Sequence, residues 1–142
     1  MDKPNDLWHH AFMDTQTHDK LKALFAAQPD VGLVYFFGSR ARGEQGPMSD
    51  YDFALYLDED DPRTRSERHC KLIAEISHIL QTDNIDVVLL NTIQEPELAY
   101  AIITEGELLH EREPHRAIIE PRILNAYFDF YALLKAHQLT RA

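Results

Sequence analysis

Cysteine is nearly absent: Cys70 stands alone among 142 residues. No internal disulfide can form, and a reducing cytoplasm is the simplest expected home. Long apolar runs are missing as well. The longest wholly apolar stretches fall far short of the roughly 18 residues that a membrane span needs. The opening residues, Met1-Asp2-Lys3-Pro4-Asn5-Asp6, lack the charged-then-apolar build of a signal peptide. A basic surplus is also lacking, since 14 Lys and Arg face 24 Asp and Glu for a net charge of −10. That balance argues against nucleic-acid binding through the overall field, because phosphates favour a basic footprint. It suits a basic partner or simple solubility. A nucleotide substrate stays open, since divalent cations can neutralise phosphates locally. There is no internal repeat and no low-complexity linker.

The length suits one domain with a real core, and the 44% hydrophobic content is that of an ordinary soluble globular protein. Residues 1–14 show little periodicity and read as a mobile arm. From Thr17 to Ala27, Leu21, Leu24 and Phe25 recur at the spacing of one buried helix face, and Gln28-Pro29-Asp30 ends it. Val31–Phe37 is a short apolar run of strand formers and reads as a buried strand. Gly38-Ser39 turns the chain, Arg40 to Arg42 open a short helical turn, and Gly43, Gly46 and Pro47 mark a loop. Asp52–Leu57 forms a second strand. After the acidic turn Asp58–Pro62, Thr64 and Glu67 make the S/T-x-x-E pattern of a helix N-cap, ahead of an apolar face of Leu72, Ile73, Ile76, Ile79 and Leu80. Asn84–Leu90 is a third strand. Pro96 suits the first turn of a helix carried by Leu98, Ala99, Ile102 and Ile103, with Gly106 as its stop and Leu108-Leu109 as a short edge strand. A C-terminal helix spans 114–138, started or kinked by Pro121. Strands alternating with helices make this an α/β domain.

The chemistry concentrates around "FFGSRARGEQGPMSDYDFALYL", residues 36–57. Residues two apart on a strand share a face, so Asp50 and Asp52 aim their carboxylates at one place. Two unneutralised acids that close repel, and one is pushed to protonate. A divalent cation removes the conflict, and carboxylate oxygens are the ligands magnesium prefers. An isolated Asp-x-Asp is more often a turn feature. Asp86 shifts the balance, because a lone carboxylate in an apolar strand is costly to bury. If that strand lies beside Asp50 and Asp52, three acids from two strands fit a two-metal phosphoryl-transfer site; otherwise Asp86 is a strand-edge acid in solvent. Gly38 lets the backbone approach a ligand, and Ser39 adds a hydroxyl and an N–H at an expected helix N-terminus, a natural phosphate cradle. Arg40 and Arg42 can neutralise phosphate charge, although for Arg42 a surface charge balancing the acidic loop is an equal reading.

Gly38-Ser39, ten residues (Arg40–Ser49) and Asp50-Tyr51-Asp52 resemble the G-S-x(10)-D-x-D signature of the DNA polymerase β-like nucleotidyltransferases. With the Gly-Ser-Arg-Ala-Arg-Gly wording, the short chain and Asp86 in the third strand, the sequence is similar to minimal nucleotidyltransferases (MNT) of the MntA type, antitoxin halves of HEPN–MNT toxin–antitoxin pairs. The likeness runs from about residue 17 into the C-terminal helix. It implies the nucleotidyltransferase fold, a small mixed sheet flanked by helices (α+β), forming a single domain over 1–142. It further implies that Gly38 and Ser39 bind the β- and γ-phosphates of ATP. Asp50 and Asp52 would bridge two Mg2+ ions. Asp86 would hold the catalytic metal and help deprotonate the acceptor hydroxyl. The implied reaction is transfer of AMP to a tyrosine of a HEPN toxin, a ribonuclease, with release of pyrophosphate.

Only 56 residues follow Asp86, which favours a protein acceptor over the small acceptors that larger enzymes hold in a separate helical domain. Part of the aromatic surplus of Tyr127, Phe128, Phe130 and Tyr131 is a candidate toxin contact, although each alone is more simply a core residue. Two rival readings remain: a small-molecule, aminoglycoside-type nucleotidyltransferase, and an antitoxin acting by binding alone. His69, Cys70 and His78 do not have chelating spacing and complete no zinc site. Trp8, His9, His10, His110 and His115 receive no role, and Tyr35, Phe36 and Phe37 read as core.

Overall fold

The structure, a computed structural model, describes residues 13–41 and 50–140. In chain order its elements are α1 (Thr15–Ala26), β1 (Val31–Phe37), β2 (Tyr51–Leu57), α2 (Pro62–Leu80), β3 (Ile85–Leu89), α3 (Pro96–Glu105), β4 (Glu107–Glu111) and α4 (His115–Thr140). The strands form one mixed sheet in the order β3-β2-β1-β4. β1 is antiparallel to β2 and β4, and β2 is parallel to β3.

Alternation along the two central strands sends side chains to two cores. Val34, Phe36, Phe53 and Leu55 point to one face, where Leu21 and Phe25 of α1 and Leu72 and Ile76 of α2 cover them. Leu33, Tyr35 and Ala54 point to the other, covered by Ile102 of α3 and Ile119 of α4. β1 is buried along its length because helices cover both faces, which explains its unbroken apolar run. No helix among the described residues is long and apolar enough to cross a membrane.

Three local expectations need correction. Of the arm expected over 1–14, residues 1–12 lie outside the described residues, and the last two do not belong to one: Met13 is buried in the core, and the Asp14 carboxylate caps α1 by accepting from the Thr17 N–H at 2.7 Å. α2 begins at Pro62 rather than at the Thr64–Glu67 pattern, because Asp61 is the cap, accepting from the Thr64 N–H and hydroxyl. Pro at the first helical position costs nothing, its missing N–H having no intrahelical partner there. Pro121 does not start α4 but lies inside it, which leaves the kink as the standing alternative. Helix α4 is apolar on more than one side. Ile119 and Ile123 face the sheet, whereas from Tyr131 to Gln138 every position is exposed.

Candidate active site

The C-terminal end of β1 and the N-terminal ends of β2 and β3 meet at one edge of the sheet. Register places the acids there. Phe37 pairs with Asp52 across the antiparallel ladder, and Asp52 pairs with Asp86 across the parallel one. Paired residues on neighbouring strands share a face and lie about 5 Å apart. Asp52 and Asp86 are thus side-by-side carboxylates on the face that α3 and α4 cover, the face of Ala54 and Val88. Asp50 directly precedes β2 and is exposed.

Asp86 corrects the sequence reading in one respect. It is exposed rather than buried, because β3 is the sheet's edge, so burial does not compel it to find a partner. What ties it to Asp52 is register. The edge is held by α2: the His69 Nε2–H donates to the Val87 carbonyl at 2.6 Å, a role for a histidine that sequence spacing had merely excluded from metal binding.

Gly38 begins the turn after β1 with φ +84°, a conformation that L side chains rarely adopt. A β-carbon there would overlap the Asp52 carboxylate oxygen Oδ2. Only glycine allows this close approach, which couples the turn physically to the acid. Residues 39–41 form a turn, and the helical turn expected over Arg40 to Arg42 runs past the described residues. Arg40 follows, its guanidinium carbon 4.1 Å from the centroid of the Tyr51 ring. Arg42 and the loop glycines lie outside the described residues.

A small cavity of about 170 Å³ adjoins the turn, lined by Phe37, Gly38, Leu98, Ala101 and Glu105. The sequence reading counted Leu98 with the core face of α3. Residues 98, 101 and 105 are instead a second stripe beside the buried Ala99 and Ile102, offset enough to border the turn. A larger cavity of about 550 Å³ lies at the first turns of α4, lined by residues such as Arg112, Arg116, Glu120 and Leu124, and Asp50, Asp52 and Asp86 are not part of its lining.

The donor set suits a hard cation, being carboxylate oxygen throughout. Among the described residues, no group of three or more His, Cys, Asp or Glu side chains is gathered closely enough to enclose a metal. Magnesium does not require such a cage: it is usually held by one or two carboxylates, with water and substrate phosphates completing the shell. The Asp52–Asp86 pair, with Asp50 at the entrance to β2 and a turn shaped for close approach, fits that pattern.

Residues 19–115 match the family model described as Polymerase beta, Nucleotidyltransferase. The chain belongs to this family. Among solved structures, this nucleotidyltransferase is similar to a toxin–antitoxin complex determined with AMP-PNP, at 23% identity and a TM-score of 0.65 over 89% of this chain and 98% of the other. It is also similar to an MNT antitoxin in complex with a tri-AMPylated HEPN toxin of Shewanella oneidensis, at 21% identity and a TM-score of 0.62 over 89% and 98%. A mutant form of an MntA toxin–antitoxin complex is 25% identical, with a TM-score of 0.62 over 87% and 96%. Comparison with curated proteins gave no match. The mixed sheet with its flanking helices and C-terminal helix is the nucleotidyltransferase fold.

Proposed function

We propose that this nucleotidyltransferase is an antitoxin that transfers AMP from ATP to a tyrosine hydroxyl of a HEPN toxin, neutralising it. The observation that carries the reading is the Gly38 turn closed against Asp52, with Asp86 as its register neighbour, in a chain of this family. Support for the acceptor comes from a fold neighbour in complex with a tri-AMPylated HEPN toxin, and support for the nucleotide from one determined with AMP-PNP.

In this reading the turn N–H groups of Gly38 and Ser39 receive the β- and γ-phosphates, with Arg42 as a further cation, while the Arg40 guanidinium, seated over the Tyr51 ring, acts on the turn and not on phosphate. Asp50, Asp52 and Asp86 would hold two Mg2+ ions, which neutralise phosphate charge and favour in-line displacement. The acceptor oxygen attacks the α-phosphorus, the bond to the bridging oxygen breaks, and pyrophosphate leaves. Asp86, exposed at the sheet edge, would help to deprotonate the incoming hydroxyl. Positioning and electrostatics supply most of such catalysis.

Asp50→Ala and Asp52→Ala should each abolish AMP transfer to the toxin while leaving the circular-dichroism spectrum intact. The assay is mass analysis of toxin co-purified with ATP and Mg2+, and full transfer by either variant rules out the metal assignment. One observation favours neutralisation by occupation alone: the later turns of α4, where Phe128 and Leu133 are exposed. In that case the acidic residues are dispensable for rescue of cells expressing the toxin. AMP found on a small molecule and never on protein would instead identify the aminoglycoside-type activity.

A further inference from the structure

Tyr51 separates the two aspartates in sequence, and strand alternation turns its side chain to the opposite face from Asp52. There its ring stacks on Phe36, with centroids 6.2 Å apart and planes at 29°, at the margin of the core that α1 and α2 cover. The Arg40 guanidinium carbon lies 4.1 Å from the centroid of the same ring, within the range of a cation–π contact. Arg40 directly follows Gly38-Ser39 and belongs to the turn over 39–41. The turn is therefore anchored twice on neighbouring residues of β2. From one face Gly38 is pressed against Asp52, and from the other Arg40 rests on Tyr51.

We propose that Tyr51 is a positioning residue, which holds the Gly38–Arg40 turn, through the Arg40 guanidinium, in the conformation that receives the triphosphate. The proposal rests on the nucleotide reading above and deepens it. A turn whose N–H groups must converge on phosphate binds more weakly when the ligand has to order it, and apparent affinity falls with the fraction of molecules already competent. The contact uses the ring face, so phenylalanine retains it. Leucine retains apolar packing on Phe36 but offers no ring face to the cation. A Tyr51 that only packs on Phe36 would leave ATP affinity unchanged in either folded variant.

The test is calorimetric titration of ATP with Mg2+ into the wild-type chain, Tyr51→Phe, Tyr51→Leu, Arg40→Gln and the Tyr51→Leu/Arg40→Gln double variant. Tyr51→Phe should bind as wild type. Tyr51→Leu and Arg40→Gln should each weaken binding roughly three- to tenfold, and the double variant no further than Arg40→Gln alone. In the transfer assay the same variants should raise KM for ATP while holding kcat. In the ligand-free protein, the Arg40 Hε resonance should lose its ring-current shift in Tyr51→Leu and keep it in Tyr51→Phe. Wild-type affinity in Tyr51→Leu, or losses that multiply in the double variant, overturns the proposal. If Tyr51→Leu does not fold, Tyr51→Met takes its place under the same readouts, since methionine also packs on Phe36 without offering a ring face: wild-type affinity overturns the proposal, and weakened affinity beside an intact Tyr51→Phe upholds it. A wild-type chain that binds no ATP defeats the nucleotide reading itself and this proposal with it, an outcome visible before any variant is compared.

Discussion

Gly38 combines two constraints that in most turns act separately. Its φ of +84° disfavours any β-carbon by roughly 1–2 kcal/mol. The space such a carbon would fill is taken by Asp52 Oδ2, so relief requires moving a carboxylate that the site needs in place. Gly38→Ala is therefore expected to destabilise the fold by about 1–3 kcal/mol and, at temperatures where it remains folded, to lose ATP binding. Thermal melting together with ATP titration separates the two effects, and an alanine variant with wild-type affinity would show that the turn and Asp52 are not coupled. Ser39→Ala, which keeps the backbone, should weaken binding far less than Gly38→Ala. Glycine's place in the site was readable from the Gly-Ser turn, but its contact with Asp52 was not. That contact depends on the pairing of Phe37 with Asp52, across a loop whose conformation no local pattern specifies.

Among the elements, α2 carries a forked polar tether to the turn ahead of β1. The Arg68 guanidinium donates from Nε to Asp30 Oδ2 at 2.6 Å and from Nη2 to Asp30 Oδ1 at 2.9 Å, with a further bond to the Gln28 side chain at 2.8 Å. This fork joins the helix to the turn that feeds β1, and both side chains are only 22% exposed. The hydrogen bonds from Arg68 hold the Asp30 carboxyl below its ordinary value of 3.8, against the opposing effect of burial. A carboxylate with a depressed folded pKa binds fewer protons than in the unfolded chain, so its stabilisation is complete above pH 3.8 and lost as pH falls through the folded value. Arg68→Ala is expected to cost about 1–3 kcal/mol at neutral pH and to flatten this acid-side loss. Urea unfolding at pH 7 and pH 3 measures both, and an Arg68→Ala variant that loses as much stability between the two pH values as the wild type would count against the tether. Element boundaries followed their sequence signals unevenly. Val31–Phe37 was readable residue for residue, because a doubly covered strand is apolar throughout. The start of α2 was misread because two capping patterns overlap, and Asp61-Pro62 takes the chain into the helix before Thr64.

At the scale of the whole molecule, alternation and periodicity assign each element a face but not a neighbour, and it is the strand order that makes Asp86 adjacent to Asp52. The sequence reading inferred that partnership from the cost of burying Asp86, a premise the edge position of β3 removes, while the parallel register restores the adjacency. The aromatic surplus of the C-terminal helix divides in the same way. Tyr127 stacks on Tyr100 of α3 with centroids 3.9 Å apart, so it belongs to the domain's own packing. Phe128 and Tyr131 are exposed although each also meets the ring of Tyr127, and Leu133 and Leu134 are exposed. Leu133, at 70% exposure, separates folding from association most sharply. An exposed position distant from caps and core tolerates substitution within about 0.5 kcal/mol, whereas a charge placed in a contiguous apolar contact surface is costly to desolvate. Leu133→Glu is thus expected to leave the melting temperature and ATP binding unchanged and to weaken toxin capture at least tenfold, as measured by co-purification and by titration with the toxin. Tyr127→Ala should do the reverse, lowering the melting temperature by removing a stacked ring. Unchanged toxin capture by Leu133→Glu would exclude this end of α4 from the interface and place docking on another face of the domain.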